Sequence, residues 1–90
     1  MRNLQETGYE NAFVRVASAR LVKKEQYGDS WKEMEVWELL AMIKQKYGRL
    51  EFNIINEKKQ IVEKDIDNLI DLINYSLFLL QNILDKEENV

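Results

Sequence analysis

VEKDIDNLIDLINYSLFLLQNILD, Val62 to Asp85, is the stretch that decides the fold. Ile66, Leu69, Ile70, Ile73, Leu77, Leu80 and Leu84 recur every three or four residues, the period of one buried helical face. Leu72, Leu79 and Ile83 widen the apolar surface around the same helix. A helix apolar over so much of its girth needs neighbours on more than one side. The chain has no proline, and no Asn-Gly or Asp-Gly pair joins alternating strands, so nothing reads as a β-hairpin. The expectation is an all-α fold.

Two further helices precede this one. Phe13, Val16, Ala17, Leu21 and Val22 mark a first helix over about 9–26, with Arg15, Arg20, Lys23 and Lys24 at other angles. Those cations suit the negative end of the helix dipole, and contact with a phosphate chain is the alternative reading. Gly28 stands where a helix ends in a left-handed residue. Ser30 and Glu33 have the spacing of a capping box, and Asp29 is an alternative cap. A second helix over about 31–52 follows, with the stripe Trp31, Met34, Trp37, Leu40, Ile43, Tyr47 and Leu50. Gly48 within it marks a kink, an early stop or a close backbone approach. The third helix covers about 62–85.

Ninety residues form a single domain, 1–90, near the size at which one core becomes marginal. The expected architecture is an antiparallel bundle of three helices. Its core is completed by oligomerisation, as a homodimer or homotetramer.

The chain has no cysteine and no histidine, which excludes disulfides, thiol nucleophiles, histidine triads and the usual zinc sites. Any metal ligands are oxygens, which favours Mg2+ or Mn2+. A net charge of −3 gives no global attraction for nucleic acid, so no nucleic-acid partner is expected. The start of the chain lacks the apolar core of a signal peptide. LINYSLFLL, Leu72–Leu80, is too short and too polar to span a bilayer. The default expectation is therefore a cytoplasmic protein without a membrane partner.

Carboxylates are the remaining candidates for chemistry. Glu35 and Glu38 are three apart and leave one helix face at the edge of the apolar stripe. Asp67 and Asp71 are four apart, with Asn68 three before Asp71 and Asn74 three after it. Asp71 sits between Ile70 and Leu72 in the most apolar part of the chain, where an unpaired carboxylate is expensive. One reading pairs Asp71 with a lysine or arginine, or points it to solvent. The other brings acids from two antiparallel helices together as an oxygen cage for a divalent ion, which would in turn bind phosphate.

Glu35-Val-Trp-Glu38, then 29 residues, then Asn68-Leu-Ile-Asp71 resembles the ExxE…ExxD signature of the MazG-like, all-α NTP pyrophosphohydrolases. YGDSW at Tyr27–Trp31, KQKYGRLE at Lys44–Glu51 and LINYSLFLLQ at Leu72–Gln81 are similar to the nucleotide-modification-associated domain of that wider group, found in phages and bacteria. The likeness spans roughly Val22 to Leu84. It implies hydrolysis of a nucleoside triphosphate between the α- and β-phosphates. Glu35, Glu38 and Asp71 would then be metal ligands, with Asp67 or Asn68 adding an oxygen and Glu38 accepting the water's proton. Lys44 and Arg49 would meet the triphosphate, with Asn74 beside them, while Lys46 reads as a solvated charge and Trp31 and Trp37 as core, with stacking on a base as the alternative. Asn68 departs from the acid of the signature, so the competing expectation is a non-catalytic helical interaction module or a nucleotide sensor.

Overall fold

A computed structural model describes residues 7–58 and 60–88. Helix α1 spans Glu10–Tyr27, α2 Val36–Leu50 and α3 Glu63–Glu88, and no strand occurs among the described residues. A 3₁₀ turn, Ser30–Glu33, precedes α2, and a π-turn, Glu51–Asn56, prolongs it. The all-α architecture expected from the periodicity is the one that forms. No helix among the described residues is long and apolar enough to cross a membrane.

α1 ends where the sequence places its end. Gly28 has φ +66°, a conformation that suits glycine, and its N–H donates to the Lys24 carbonyl at 2.8 Å. The second helix starts later than its stripe implies. The turn at Ser30–Glu33 closes through short-range bonds, Lys32 N to Asp29 O at 3.0 Å and Met34 N to Trp31 O at 3.1 Å. Met34 and Glu35 are then extended, and α2 begins at Val36. Its capping box is Glu35 with Glu38, and the expected Ser30–Glu33 box does not form. Asp29, the alternative cap, is paired with Arg20 and Lys24 of α1, and the extended backbone at Met34 and Glu35 separates Ser30 from the helix and makes Glu35 its N-cap. α2 runs through Gly48 without a stop, and open space surrounds that Cα, so no close approach requires the glycine.

α2 and α3 run antiparallel and pack along their lengths. Three cross-links set their register: Asn82 Nδ2 donates to Met34 O at 3.4 Å, Lys46 pairs with Asp71 at 3.1 Å, and Asn53 Nδ2 donates to Asp65 Oδ1 at 3.0 Å. On α2 the inward residues are Val36, Leu39, Ile43, Lys46 and Leu50, again at threes and fours. This seam keeps Ile43 and Leu50 of the expected stripe but takes Val36, Leu39 and Lys46 in place of Trp37, Leu40 and Tyr47, which are exposed. On α3 the corresponding inward series is Asp65, Asn68, Leu72, Tyr75, Leu79 and Asn82. Of the expected stripe there, Leu69, Leu77, Leu80 and Leu84 are exposed, while Ile66, Ile70 and Ile73 are half-buried.

α1 packs on α3 and hardly on α2. Its anchor is Val16, whose carbonyl accepts from Asn74 Nδ2 at 3.2 Å in a buried contact. With only α3 beside it, α1 covers one short patch. Phe13, Leu21 and Val22, expected in the core, remain exposed. Asp65 accepts from Val62 N at 3.0 Å as well as from Asn53, which fastens the start of α3 to the π-turn.

Candidate functional site

The turn between α1 and α2 exists to bring aromatic and charged groups over α3. It lays Trp31 flat on Phe78, with ring centroids 4.6 Å apart and 10° between planes. Tyr75 meets the same Phe78 edge-on at 5.8 Å, and the Arg20 guanidinium sits 5.0 Å from the Phe78 ring centre. A cavity of about 290 Å³ opens beside this cluster. Its walls are Arg20 and Lys23 of α1, Gly28, Ser30, Trp31 and Met34 of the connection, and Asp71, Asn74, Tyr75 and Phe78 of α3. Trp31 thus forms a cavity wall, which corrects its assignment to the core. Its indole N–H is buried without a hydrogen-bond partner, an unusual state for a purely structural tryptophan.

Both cavity cations are paired with acids. Arg20 Nη2 donates to Asp29 Oδ1 at 2.6 Å, while Lys24 and Lys32 approach the other oxygen at 3.9 and 3.7 Å. Lys23 pairs with Asp71 Oδ1, and Lys46 holds Asp71 Oδ2 at 3.1 Å. Asp71 therefore ties all three helices together. Burial pushes its carboxyl up, but hydrogen bonds and charge from Lys23 and Lys46 outweigh this and hold its pKa below the ordinary range. At Asp29 burial also acts upward and is overcome by Lys24, Lys32 and Arg20. At Asp65 the Asn53 and Val62 hydrogen bonds dominate and lower the pKa. Depressed folded-state values mean stability that is present above the ordinary aspartate range and lost as pH falls through the lower values. The melting temperature is accordingly expected to fall as pH drops below about 4.

The expected acid cage does not assemble in one chain. Glu35 and Glu38 are occupied with the first turn of α2, where Glu38 Oε1 accepts from Glu35 N at 3.0 Å. The α2–α3 register sets Glu38 level with Leu79, about 12 Å along α3 from Asp71 at ~1.5 Å per residue. Asp67 is exposed and Asn68 is buried in the α2–α3 seam, so neither lines the cavity. Among the described residues no group of three or more acids is placed to hold a metal ion. The residues as they stand do not fit the Mg2+ or Mn2+ that the signature implies.

Of the expected substrate contacts, Asn74 lines the cavity, but its amide is committed to Val16. Lys44 and Arg49 are exposed on α2 and do not line the cavity; Lys44 is ~200° around the helix from Lys46. Lys46, read as a solvated charge, is nearly buried at 13% side-chain exposure and grips Asp71. The phosphate-contact reading of the α1 cations finds Arg20 and Lys23 at the cavity, whereas Arg15 pairs with Glu63 at 2.9 Å elsewhere. Phe78 and Met34 carried no signal beyond apolar spacing.

Because Lys46 is poorly solvated, Asp71→Asn is expected to destabilise the ligand-free protein by about 2 kcal/mol, within the range for hydrogen bonds to charged groups. The Lys23 share is small, since that amine is half exposed and screened. Urea denaturation measures the change. A variant as stable as the parent would count against the ion pair and for the oxygen cage.

Residues 23–83 match the family model described as nucleotide modification associated domain 1. No curated protein and no solved structure matches the chain.

Proposed function

Since the chain belongs to the nucleotide modification associated domain 1 family, we propose that it binds a nucleoside triphosphate in the cavity beside Trp31. One observation carries this reading. YGDSW and DLINY are about forty residues apart in sequence, yet Gly28, Ser30 and Trp31 of the first face Asp71, Asn74 and Tyr75 of the second across one cavity. An aromatic wall suits a base, because every base has a stacking face. Arg20 and Lys23 at the same cavity suit phosphate oxygens, the guanidinium by a two-pronged contact.

The finer reading is a pyrophosphohydrolase. It is favoured by Asp71, the one acid of the signature that lines the cavity. In that reaction the oxygen of water bonds to the α-phosphorus. The bond from that phosphorus to the oxygen bridging to the β-phosphate breaks, giving nucleoside monophosphate and pyrophosphate.

Trp31 supplies the test. With Trp37→Phe removing the other indole, Trp31 fluorescence is expected to change saturably with ribo- or deoxynucleoside triphosphates. No saturable change with any of them would overturn the binding reading. Pyrophosphate release from the same panel, with and without magnesium or manganese, then separates an enzyme from a sensor.

A further inference from the structure

We propose that Asp29 and Asp71 are internal stand-ins for substrate phosphates, covering Arg20 and Lys23 until a polyphosphate displaces them. This rests on the binding reading above and adds how the site selects its ligand. Both cavity cations are already neutralised, Arg20 by Asp29 at 2.6 Å and Lys23 by Asp71. Arg20 is only 20% exposed, and a cation so placed needs an anion when the cavity is empty.

The second partners of the two acids are what make exchange feasible. If Lys23 turns to a phosphate, Asp71 keeps Lys46 at 3.1 Å, a residue that does not line the cavity. If Arg20 does so, Asp29 keeps Lys32 at 3.7 Å and Lys24 at 3.9 Å. Neither carboxylate is stranded by the exchange, so no unpaired buried charge opposes it. The residual opposition is the loss of two existing ion pairs. A lone phosphate replaces one acid at a time and gains little. A triphosphate reaches both cations within one molecule, so its second contact forms at high effective concentration. The arrangement therefore discriminates against a monophosphate, one product of the proposed reaction, and in favour of chains of two or more phosphates, the product pyrophosphate included.

The experiment is equilibrium binding of inorganic tripolyphosphate and of inorganic phosphate without divalent ions, to the wild-type chain and to Asp71→Asn and Asp29→Asn. Each variant removes one internal competitor and is expected to bind tripolyphosphate about tenfold tighter and to narrow the gap to phosphate. Glu87→Gln, the same charge change on an exposed turn at the far end of α3, is expected to leave both affinities unchanged. Asp29→Asn lies in the connection between helices and keeps the test informative if Asp71→Asn folds poorly. Wild-type binding with neither aspartate variant tighter, or with Glu87→Gln equally tightened, overturns the stand-in role and leaves the binding reading intact. Failure of tripolyphosphate and of every nucleoside triphosphate to bind any form removes the binding reading, and this inference with it.

Discussion

Leu39→Ala is expected to destabilise the protein by about 3–5 kcal/mol, the upper part of the range for buried leucines. Leu39 is the one fully buried large side chain among the described residues, with 0% exposure, and it lies in the seam near the start of α2. Its truncation leaves a cavity where few neighbours can move in, because the helices on both sides are held by the Lys46–Asp71 and Asn82–Met34 links. A domain of this size has only about 5 kcal/mol of stability to lose. The variant should therefore be largely unfolded at 37 °C, as circular dichroism and urea titration would show. A loss below about 1 kcal/mol would mean that the α2–α3 seam is not the stabilising core.

The second large effect concerns the faces left bare. Leu69, Leu77, Leu80 and Leu84 are each 41–51% exposed on α3, with the half-buried Ile73 between them, so the stripe repeats at fours and threes. Trp37, Leu40 and Tyr47 form a comparable stripe on α2. The chain exposes 7296 Å², against roughly 5500 Å² for a folded chain of this mass. That excess is of the order that a stable oligomer removes from each subunit. A second copy is the expected partner, since a helical face of this periodicity is complementary to itself about a twofold axis. Light scattering of the wild type at micromolar concentration should give a dimer or tetramer with a concentration-dependent melting temperature. In a twofold dimer, Leu77→Arg with Leu80→Arg removes four half-exposed leucines from the interface, at about 1 kcal/mol each before any charge penalty. The dissociation constant should rise by about a thousandfold, leaving a monomer. A wild-type chain that is already monomeric would sink the shared core.

Asp71 illustrates how far the sequence reading reached at the site. Its position among Ile70, Leu72 and Ile73 already said that the carboxylate required compensation, and two readings supplied it: a cation or a metal. Within one chain the compensation is Lys23 and Lys46. Neither lysine was legible as its partner, because both lie on other helices and the pairing depends on how those helices are set against α3. Glu35 and Glu38 carry the spacing of a signature and equally that of a capping box. A backbone that begins its helix at Val36 leaves their carboxylates serving the amides of the first turn.

The sequence by itself determined that this chain is three helices, where α1 stops, and that α3 carries more apolar surface than one neighbour covers. Those properties are local. They follow from side-chain period, from the absence of proline, and from a glycine at a position needing positive φ. Only the tertiary structure decided which of two similarly spaced stripes faces inward: Leu39 and Lys46 in place of Leu40 and Tyr47, Asn68 and Leu72 in place of Leu69 and Ile73. Periodicity fixes the interval between buried residues but not the rotation of the helix about its axis. That angle was set by a handful of long-range polar links, Asn53–Asp65, Lys46–Asp71 and Asn74–Val16, which satisfy groups too expensive to bury alone.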